Sequence, residues 1–280
     1  MVKSRVKALI LGLVERLILT RLGRLICETM LAEAMRRHVR VYHGDTKIDF
    51  VSPNPILLWR ASTFSEKEPE TLRWIDDFDD ESVLWDVGSN VGLYAIYAAK
   101  AKKADVWAFE PSIFNLEILG RNIVLNQMED KVKIMPLALT DKFGVNRMTH
   151  STTEWGGALS TFGANYGSDG KKLDAVFAYD TFGMSLDDIV KYGFSPVPDH
   201  IKIDVDGIEH IILRGGVATL RAVKTVLVEI NDDFGPQHEE AEEALRRAGL
   251  RLEEKERSVF TNTSKAKTPN VFNQIWRREV

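Results

Sequence analysis

The sequence predicts an α/β fold, in which a mostly parallel sheet carries helices on both faces. Short apolar segments alternate with helical stretches, and each apolar segment is hydrophobic at nearly every position. Strands of this kind are buried on both faces, which is typical of parallel sheets covered by helices. The 280 residues, 44% of them hydrophobic, suffice for one substantial core or for one domain with a smaller appendage.

The alternation runs from residue 83 to the end of the chain, so the main domain is predicted to span residues 81–280. Predicted strands cover 83–87, 106–109, 132–137, 201–205 and 226–230. Predicted helices lie between them at 91–101, 112–126, 207–221 and 237–248. A final pair of strands, which is predicted to close the sheet as a hairpin, covers about 251–260 and 271–277, with Asn262 and Pro269-Asn270 between them.

Residues 140–199 interrupt this alternation between the third and fourth strands. They are rich in Gly, Ser, Thr and aromatic residues, and long loops at this position of an α/β sheet are usually functional. We expect an insertion on the substrate side. Five of its residues either shape a ligand pocket or are ordinary loop residues with an aromatic anchor: His150, Trp155, Gly156, Gly157 and Tyr166.

Residues 1–40 are predicted to form a basic, amphipathic helical extension. They carry nine Lys and Arg residues against three Glu residues, and an apolar stripe at spacings of three and four is formed by Leu11, Val14, Ile18, Leu22 and Leu25. The apolar run from Ala8 to Val14 is too short for a membrane span, which needs about 20 residues, and for a signal peptide. Two interpretations stay open: the extension packs on the domain or on a second subunit of a homo-oligomer, or it lies on a membrane surface.

The composition excludes some classes of protein. The remaining 240 residues carry 28 Lys and Arg against 38 Asp and Glu, and the whole chain has a net charge of −4. Such an acidic body argues against nucleic acid as a partner, because phosphate binding needs clustered cations. The single cysteine, Cys27, excludes an intrachain disulfide and a cysteine-built zinc site. It agrees with a cytoplasmic location, peripheral to a membrane if the extension binds one.

Residues 41–80 are predicted to connect the extension with the domain. Pro53-Asn54-Pro55 interrupts regular structure. A helix is predicted to begin at Ser65 and to continue through Trp74 and Ile75, with acidic residues in its first turn.

The first strand of the domain runs into a glycine turn that is predicted to hold a ligand. The segment 83–94 reads Val-Leu-Trp-Asp-Val-Gly-Ser-Asn-Val-Gly-Leu-Tyr, so Gly88 and Gly92 allow close approach of the backbone. Asp86 lies at the carboxyl end of the strand, where open α/β sheets bind ligands, and it suits a cationic group such as an amino-acid ammonium.

The second strand ends in Glu110, which is 24 residues beyond Asp86. A carboxylate there can accept hydrogen bonds from both hydroxyls of a ribose. The dinucleotide fingerprint G-x-G-x-x-G is absent, because Ser89 and Asn90 follow Gly88. The turn and the acid indicate an adenosine cofactor; NAD, or a turn glycine with an incidental acid, are the weaker alternatives.

Five motifs, in order along the chain, resemble the FkbM family of methyltransferases. They are Asp-Val-Gly-Ser-Asn-Val-Gly-Leu-Tyr at 86–94, Phe-Glu-Pro-Ser at 109–112, the segment 122–126, Pro-Leu-Ala-Leu-Thr-Asp at 136–141 and Lys-Ile-Asp-Val-Asp-Gly-Ile-Glu at 202–209. The resemblance covers about residues 60–233. It implies a class I methyltransferase (Rossmann-like) fold, with seven strands in the order 3-2-1-4-5-7-6 and the last antiparallel. It also implies O-methylation of small molecules, often sugars or natural-product intermediates, with S-adenosylmethionine as cofactor.

The resemblance implies which residues meet the cofactor. The methionine part of the cofactor would lie beside Asp86, Gly88, Asn90 and Gly92. The ribose would bind Glu110, and the adenine would contact Leu137 and Ala138. Lys67 and Glu68 would close over the cofactor from the other side. The other residues that the resemblance assigns to this site are Ser89, Leu93, Pro111, Ser112, Asn115 and Asp204.

The fourth strand is predicted to carry the chemistry. In methyl transfer the protein supplies alignment and water exclusion, and a hydroxyl acceptor also needs a base or a metal. Alternation along the strand places Lys202, Asp204 and Asp206 on one face. Asp204 is the first choice for the base or for an orienting carboxylate. Lys202 would polarise the acceptor or balance the acids, and Glu229 on the fifth strand completes the catalytic candidates.

Two alternatives remain open for these acids. Asp204, Asp206 and Glu209, with Glu229, could hold a magnesium or calcium ion through oxygen ligands. They could instead form a structural network with Lys202, in which Asp206 caps the next helix.

The expected partner is a small-molecule acceptor. The motif Asn/Asp-Pro-Pro-Tyr/Phe, typical of enzymes that methylate base amino groups, is absent from the fourth strand. The leading hypothesis is therefore a small-molecule O-methyltransferase. The alternatives are a small-molecule N-methyltransferase, an NAD-type oxidoreductase and a non-catalytic binding protein on the same fold.

Overall fold

Two helices and a β-hairpin precede the main sheet. A computed structural model describes residues 2–257 and 270–279. Its first elements are helices α1 (Val2–Ile18) and α2 (Arg21–Arg36) and the antiparallel strands β1 (His38–His43) and β2 (Thr46–Val51). The two helices confirm the prediction, whereas the sequence pattern does not predict the hairpin. None of the described helices is long and apolar enough to cross a membrane.

The apolar stripe of the N-terminal helices does not pack on the domain. All five of its side chains are between 38% and 68% exposed. The expectation that the stripe is buried against the body of this chain is therefore wrong. That the stripe contacts a second subunit or a membrane surface stays a prediction.

Three short helices follow the hairpin: α3 (Pro55–Ser62), α4 (Phe64–Lys67) and α5 (Pro69–Asp76). Asn54 caps α3, since its side chain accepts a hydrogen bond from the Leu57 amide at 2.8 Å. The single helix predicted from Ser65 to Ile75 is divided at Glu68. The reason is Pro69, which begins α5 and disfavours helical backbone at the residue before it.

Among the other elements, the strands of the central sheet and the helices between them agree with the prediction within two residues at most ends, whereas the elements between residues 138 and 191 are not predicted from the sequence. In chain order they are β3 (Val83–Val87), α6 (Leu93–Ala101), β4 (Asp105–Phe109), α7 (Ile113–Asn126), β5 (Val132–Met135), β6 (Ala138–Leu139), β7 (Gly144–His150), β8 (Ser160–Phe162), β9 (Phe177–Met184), α8 (Leu186–Lys191), β10 (His200–Ile203), α9 (Glu209–Arg214), α10 (Val217–Leu220), β11 (Thr225–Asn231), α11 (Gly235–Arg247), β12 (Leu250–Arg257) and β13 (Val271–Arg278).

The central sheet has seven strands in the order β12-β13-β11-β10-β3-β4-β5. Neighbouring strands from β11 to β5 pair in parallel, and β13 runs antiparallel to both of its neighbours. Numbered within this sheet, the order is 3-2-1-4-5-7-6 with the seventh strand antiparallel. The predicted fold is confirmed.

Both faces of this sheet are covered. Leu84 enters one hydrophobic cluster together with Trp74 of α5, and the next residue of the strand, Trp85, enters the other. The same alternation puts Leu227 and Val226 into opposite clusters. The carboxyl ends of the parallel strands therefore meet at one edge, between two fixed cores.

One predicted helix and one predicted strand differ from the structure. The helix over 207–221 is divided into α9 and α10 at Gly215 and Gly216. A Cβ atom on Gly215 would lie 2.6 Å from the Thr140 carbonyl oxygen, so the chain turns there against a neighbouring loop. The strand at 251–260 is observed through Arg257, and residues 258–260, Asn262 and Pro269 lie outside the described residues.

The insertion over residues 140–199 contains regular structure that the sequence pattern does not predict. Strands β6 to β9 form a second sheet in the order β6-β9-β7-β8, and α8 leads back to the main sheet. Strands β7 and β9 pair antiparallel from Gly144 opposite Gly183 to His150 opposite Phe177. Most of their side chains are exposed or half-exposed, so no apolar alternation marks these strands in the sequence.

Candidate active site

A glycine turn joins the ends of three strands. Gly88 follows β3 with a φ of +83°, and the amides of Gly88 and Ser89 donate to the Phe109 carbonyl at 2.9 and 3.1 Å. A Cβ atom on Gly88 would lie 1.9 Å from the carbonyl oxygen of Asp204, so only glycine fits between β3 and the end of β10. Gly88 is thus required by contact with the protein backbone as well as by the cleft that it lines.

Beside this turn lies a cleft of about 540 Å³, a volume that includes its open mouth. Eight of the predicted cofactor residues line it: Gly88, Asn90, Glu110, Pro111, Asn115, Leu137, Ala138 and Asp204. Six predicted residues lie behind or beside the lining: Glu68, Asp86, Ser89, Gly92, Leu93 and Ser112. Gly92 packs against α7, since a Cβ atom there would lie 2.5 Å from Cδ1 of Leu119.

Two backbone amides hold Glu110 in the cleft wall. Its Oε2 accepts from the Asn90 amide at 2.8 Å, and its Oε1 accepts from the Ser112 amide at 2.7 Å. Burial raises the pKa of Glu110 to about 8, and these two hydrogen bonds oppose the rise. Each carboxylate oxygen keeps a second lone pair, which a hydroxyl donor in the cleft can use.

The insertion closes the cleft with a strap, which we define as residues 154–162. Asn115 holds it twice: its Oδ1 accepts from the Gly156 amide at 3.0 Å, and its Nδ2 donates to the Gly157 carbonyl at 3.2 Å. Asn90 donates to the same Gly157 carbonyl at 2.9 Å, and Arg60 Nε donates to the Gly156 carbonyl at 2.7 Å. Through the strap the insertion adds wall residues that the sequence does not predict: Ala158, Ser160, Thr161 and Phe162.

An ion pair between a buried ammonium and a half-buried carboxylate lies at the end of β10. Lys202 Nζ donates to Asp204 Oδ2 at 2.8 Å, and the Lys202 side chain is 3% exposed. The ammonium also lies 5.2 Å from the centre of the Tyr94 ring. Burial lowers the pKa of Lys202, but the carboxylates of Asp204, Glu68 and Asp86 outweigh burial and raise it above its ordinary value. Lys202 therefore stays charged.

Asp86 lies beside Lys202 on the neighbouring strand. Its side chain is buried, and its Oδ1 atom has no hydrogen-bond partner among the described residues. Burial raises the pKa of Asp86 to about 6, and the Lys202 ammonium opposes the rise. A buried carboxylate oxygen without a donor is costly, so this atom marks a place for a cationic ligand group.

A second ion pair, between Lys67 and Glu68, comes from the end of α4. Burial raises the pKa of Glu68, but Lys67 and Lys202 outweigh it, and the pKa falls below its ordinary value. Glu229 follows the residue of β11 that pairs with Ile203, and so lies next to Asp204. Burial, followed by the charges of Asp204 and Glu68, raises the pKa of Glu229 well above its ordinary value.

The family follows from comparison with known proteins. The family model described as Methyltransferase FkbM domain matches residues 86–252, which is more than half of the chain. The chain belongs to the FkbM methyltransferase family. The predicted S-adenosylmethionine-dependent methyltransferase is thereby confirmed, and the NAD-type oxidoreductase is dropped.

Two curated relatives and one solved structure illustrate the similarity. Hexuronic acid methyltransferase AglP of Haloferax volcanii is 28% identical over 182 residues, or 64% of this chain and 69% of that protein. The 31-O-demethyl-FK506 methyltransferase FkbM of Streptomyces tacrolimicus is 27% identical over 175 residues, or 55% of this chain and 66% of that protein. M. jannaschii TYW2 in complex with AdoMet aligns at 13% identity with a TM-score of 0.43, over 86% of this chain and 87% of that chain.

The residues of the cleft fit the S-adenosylmethionine that this family uses. Glu110 offers lone pairs to the ribose hydroxyls, and the unpartnered Oδ1 of Asp86 suits the ammonium group. Asp204 lines the cleft, and its carboxylate interacts electrostatically with a group of charged side chains on neighbouring elements: Lys67, Glu68, Lys202 and Glu229.

The structure does not support the predicted metal site. Both oxygens of Glu209 are occupied, because they accept from the Val205 amide at 3.1 Å, from the Gly207 amide at 3.1 and 3.2 Å, and from the Gln237 side chain. Glu209 therefore fixes the loop after β10. Within residues 2–257 and 270–279, no group of three or more His, Cys, Asp or Glu side chains is placed to hold a metal ion.

Asp206 holds the strap. Its Oδ2 accepts from the Leu159 amide at 2.7 Å and from the Ser160 amide at 3.4 Å. The alternative that Asp206 caps the next helix is wrong, because the residue that precedes α9 is Ile208. Burial raises the pKa of Asp206 to about 6, and the two amides oppose the rise.

The five insertion residues named from the sequence occupy different positions relative to the cleft. Gly157 lines the cleft, and Trp155 and Gly156 belong to the strap. His150 and Tyr166 lie outside the lining. His150 stacks on Tyr179, whose hydroxyl accepts from the Ile113 amide at 3.2 Å and donates to the Pro111 carbonyl. The second sheet thus supports the loop that follows Glu110, a role that no motif signals.

Proposed function

We propose that this methyltransferase transfers the methyl group to an oxygen of a small hydroxylated acceptor, with sugar acids as the favoured class. The observation that carries the proposal is the Lys202–Asp204 ion pair, which adjoins both the cofactor cleft and Glu229. A fixed positive charge, an orienting carboxylate and a base lie together there. The names of the two curated relatives, a hexuronic acid methyltransferase and an O-demethyl-FK506 methyltransferase, support an oxygen nucleophile.

Glu229 is the proposed base. Once it is ionised, a carboxylate with a raised pKa takes a proton from a hydroxyl more readily than one with a lowered pKa. Asp204 is the weaker base, because the ammonium groups of Lys202 and Lys67 outweigh burial and lower its pKa below the ordinary value. Asp204 then orients the acceptor hydroxyl. This assignment reverses the order of the two candidates expected from the sequence.

The protein contributes alignment and water exclusion. When bound, S-adenosylmethionine supplies a methyl group on a positively charged sulfur, so the donor is already activated. The strap holds Gly157 against Asn90 and Asn115, which narrows the access of water to the cleft. Proximity of donor and acceptor in a closed site accounts for much of the rate in reactions of this type.

The preference for sugar acids rests on Arg60. Its Nε is anchored on the Gly156 carbonyl, and its charge helps to lower the pKa of Asp204 and opposes the raised pKa of Asp206. The guanidinium is therefore close enough to Asp204 and Asp206 to influence both carboxyl groups. A planar guanidinium is the side chain best suited to pair with a carboxylate.

The test is methyl transfer to glucuronic acid, to glucose and to an amino sugar, with release of S-adenosylhomocysteine as the measure. We expect turnover of the sugar acid to exceed that of glucose about tenfold. Glu229→Gln should lower kcat about 100-fold while the Kd of S-adenosylhomocysteine changes less than about twofold.

The matched control is Glu240→Gln, which changes an exposed carboxylate on α11 and should keep full activity. Methylation of the amino group alone would contradict the O-methyltransferase and favour N-methylation. Full activity of Glu229→Gln would remove Glu229 as the base.

The location and the partners are proposed on the same grounds. We place the enzyme in the cytoplasm, which the single cysteine of the chain supports. A small molecule and not a nucleic acid is the proposed acceptor, which the acidic balance of residues 41–280 supports. Fractionation of cells, with the enzyme detected by antibody, tests the location, and enzyme in an exported fraction would contradict it.

A further inference from the structure

The helical hairpin α1–α2, residues 2–36, carries an unusual share of the apolar surface. Among the described residues, 14 of the 30 large hydrophobic side chains that are exposed lie between Val6 and Leu31. Leu19, Leu22 and Leu9 are 79%, 68% and 67% exposed. Apolar side chains scattered singly over a surface need no explanation, but a concentrated group marks a docking surface.

These side chains follow helical spacing on both helices. Residues four apart lie on one face of a helix, so a set at i, i+4 and i+8 forms a stripe along it. Besides the stripe predicted from the sequence, α1 carries a second stripe at Leu9, Leu13 and Leu17, and α2 carries one at Leu22, Ile26 and Met30. Every one of these side chains is exposed.

The charge of the hairpin identifies its partner. Residues 1–40 carry nine Lys and Arg residues against three Glu residues, whereas the rest of the chain is acidic. Arg16, Arg21 and Arg24 lie on either side of the turn between α1 and α2. Two such hairpins in a homodimer would bring like charges together, whereas anionic lipid headgroups attract every one of these cations.

We propose that the hairpin α1–α2 docks the enzyme on an anionic membrane surface. Its apolar stripes enter the boundary between headgroups and acyl chains, and the side chains of Arg16, Arg21 and Arg24 reach the phosphate level. The hairpin lies in the surface and does not span the bilayer. This docking is independent of the acceptor and of the base assigned above.

The experiment is sedimentation of the full-length chain with vesicles of phosphatidylcholine, with or without about 30% phosphatidylglycerol. We expect the partition coefficient on the anionic vesicles to be about tenfold or more above that on the neutral ones, and to fall about fivefold at high salt. In each of two triple variants the partition coefficient on the anionic vesicles should fall about tenfold. One removes the apolar contact (Leu9→Gln, Leu13→Gln, Leu22→Gln), and the other removes the charge (Arg16→Gln, Arg21→Gln, Arg24→Gln).

The matched control replaces three exposed apolar residues elsewhere, Phe143→Gln, Val217→Gln and Leu252→Gln, and should bind vesicles like the unchanged protein. Thermal stabilisation by S-adenosylhomocysteine shows that each variant is folded. The proposal is overturned if the unchanged protein stays in the supernatant with both kinds of vesicle, or if the hairpin variants bind as it does. It is also overturned if light scattering shows a dimer that the apolar variant dissociates while no vesicle binding occurs, since the occupant would then be a second copy.

Discussion

Protonation of Glu110 is expected to control the affinity for the cofactor. In the expected contact a ribose hydroxyl donates to the carboxylate, whereas burial raises the pKa of this group to about 8 in the ligand-free protein. With that pKa, roughly 1% of the protein carries an ionised Glu110 at pH 6, against roughly 90% at pH 9. The Kd of a ribose-containing ligand should therefore be on the order of 100-fold higher at pH 6 than at pH 9.

Calorimetric titration with methylthioadenosine measures this effect. The ligand keeps the adenosine but lacks the amino-acid part, so its binding does not depend on an ammonium group that pairs with Asp86. The informative variant is Glu110→Gln, whose side chain offers one amide oxygen to the two backbone amides of Asn90 and Ser112. One buried N–H then lacks an acceptor, which lowers the stability of the variant by about 1–3 kcal/mol. The Kd of the ligand should no longer depend on pH. A Kd that is equal at pH 6 and pH 9 in the unchanged protein would refute the reasoning. So would a Kd of Glu110→Gln that changes with pH as much as that of the unchanged protein.

The same group links the stability of the ligand-free protein to pH. The folded-state pKa of Glu110 is about 8 and its ordinary value is 4.5, so between these values the folded state keeps a proton that the unfolded state releases. The contribution of Glu110 to stability is therefore fully present below pH 4.5 and is lost as the pH rises through 8. In urea titrations the unchanged protein should lose stability relative to Glu110→Gln over that window, and the opposite trend would contradict the assignment.

Three further predictions follow from contacts at the site. Gly88→Ala places a Cβ atom 1.9 Å from the Asp204 carbonyl oxygen and should lower the free energy of unfolding by more than about 3 kcal/mol in a urea titration; a loss below about 1 kcal/mol would contradict the contact. Lys202→Met leaves the half-buried carboxylate of Asp204 without its partner and should lower the free energy of unfolding by about 1–3 kcal/mol, so unchanged stability would disprove the ion pair. Asn115→Ala frees the strap and should raise the Kd of S-adenosylhomocysteine about tenfold, whereas an unchanged Kd would show that the strap does not hold the cofactor.

Much of the fold could be predicted because the signals are local. The parallel strands of the central sheet are mostly apolar segments, and helices lie between most of them, so the period of hydrophobicity identifies both. The hairpin β1–β2 and the second sheet escaped the prediction because their strands mix exposed and half-buried side chains. The division of the predicted helix at Glu68 was foreseeable from Pro69, which disfavours helical backbone before it.

In the candidate site, too, some features could be predicted from the sequence and others could not. The turn with Gly88 and the acid Glu110 lie within one strand–helix–strand unit, so spacing along the chain was enough to pair them. The alternative that Glu209 binds a metal ion is not supported, and its sequence position does not reveal that neighbouring amides and Gln237 occupy its oxygens. The choice between Asp204 and Glu229 as base depends on charges from several elements.

The sequence by itself predicted the parallel sheet, the glycine turn and the adenosine cofactor, since each of these depends on residues close together along the chain, and it predicted the family from the order of five short motifs. Only the tertiary structure decided how the cleft is closed. Asn115 meets Gly156 across 41 residues and Arg60 meets it across 96, and no periodicity records such distant contacts. The same holds for the buried charges, because the pKa of Asp204 or Glu229 is the sum of burial and of Coulomb interactions that packing alone brings together.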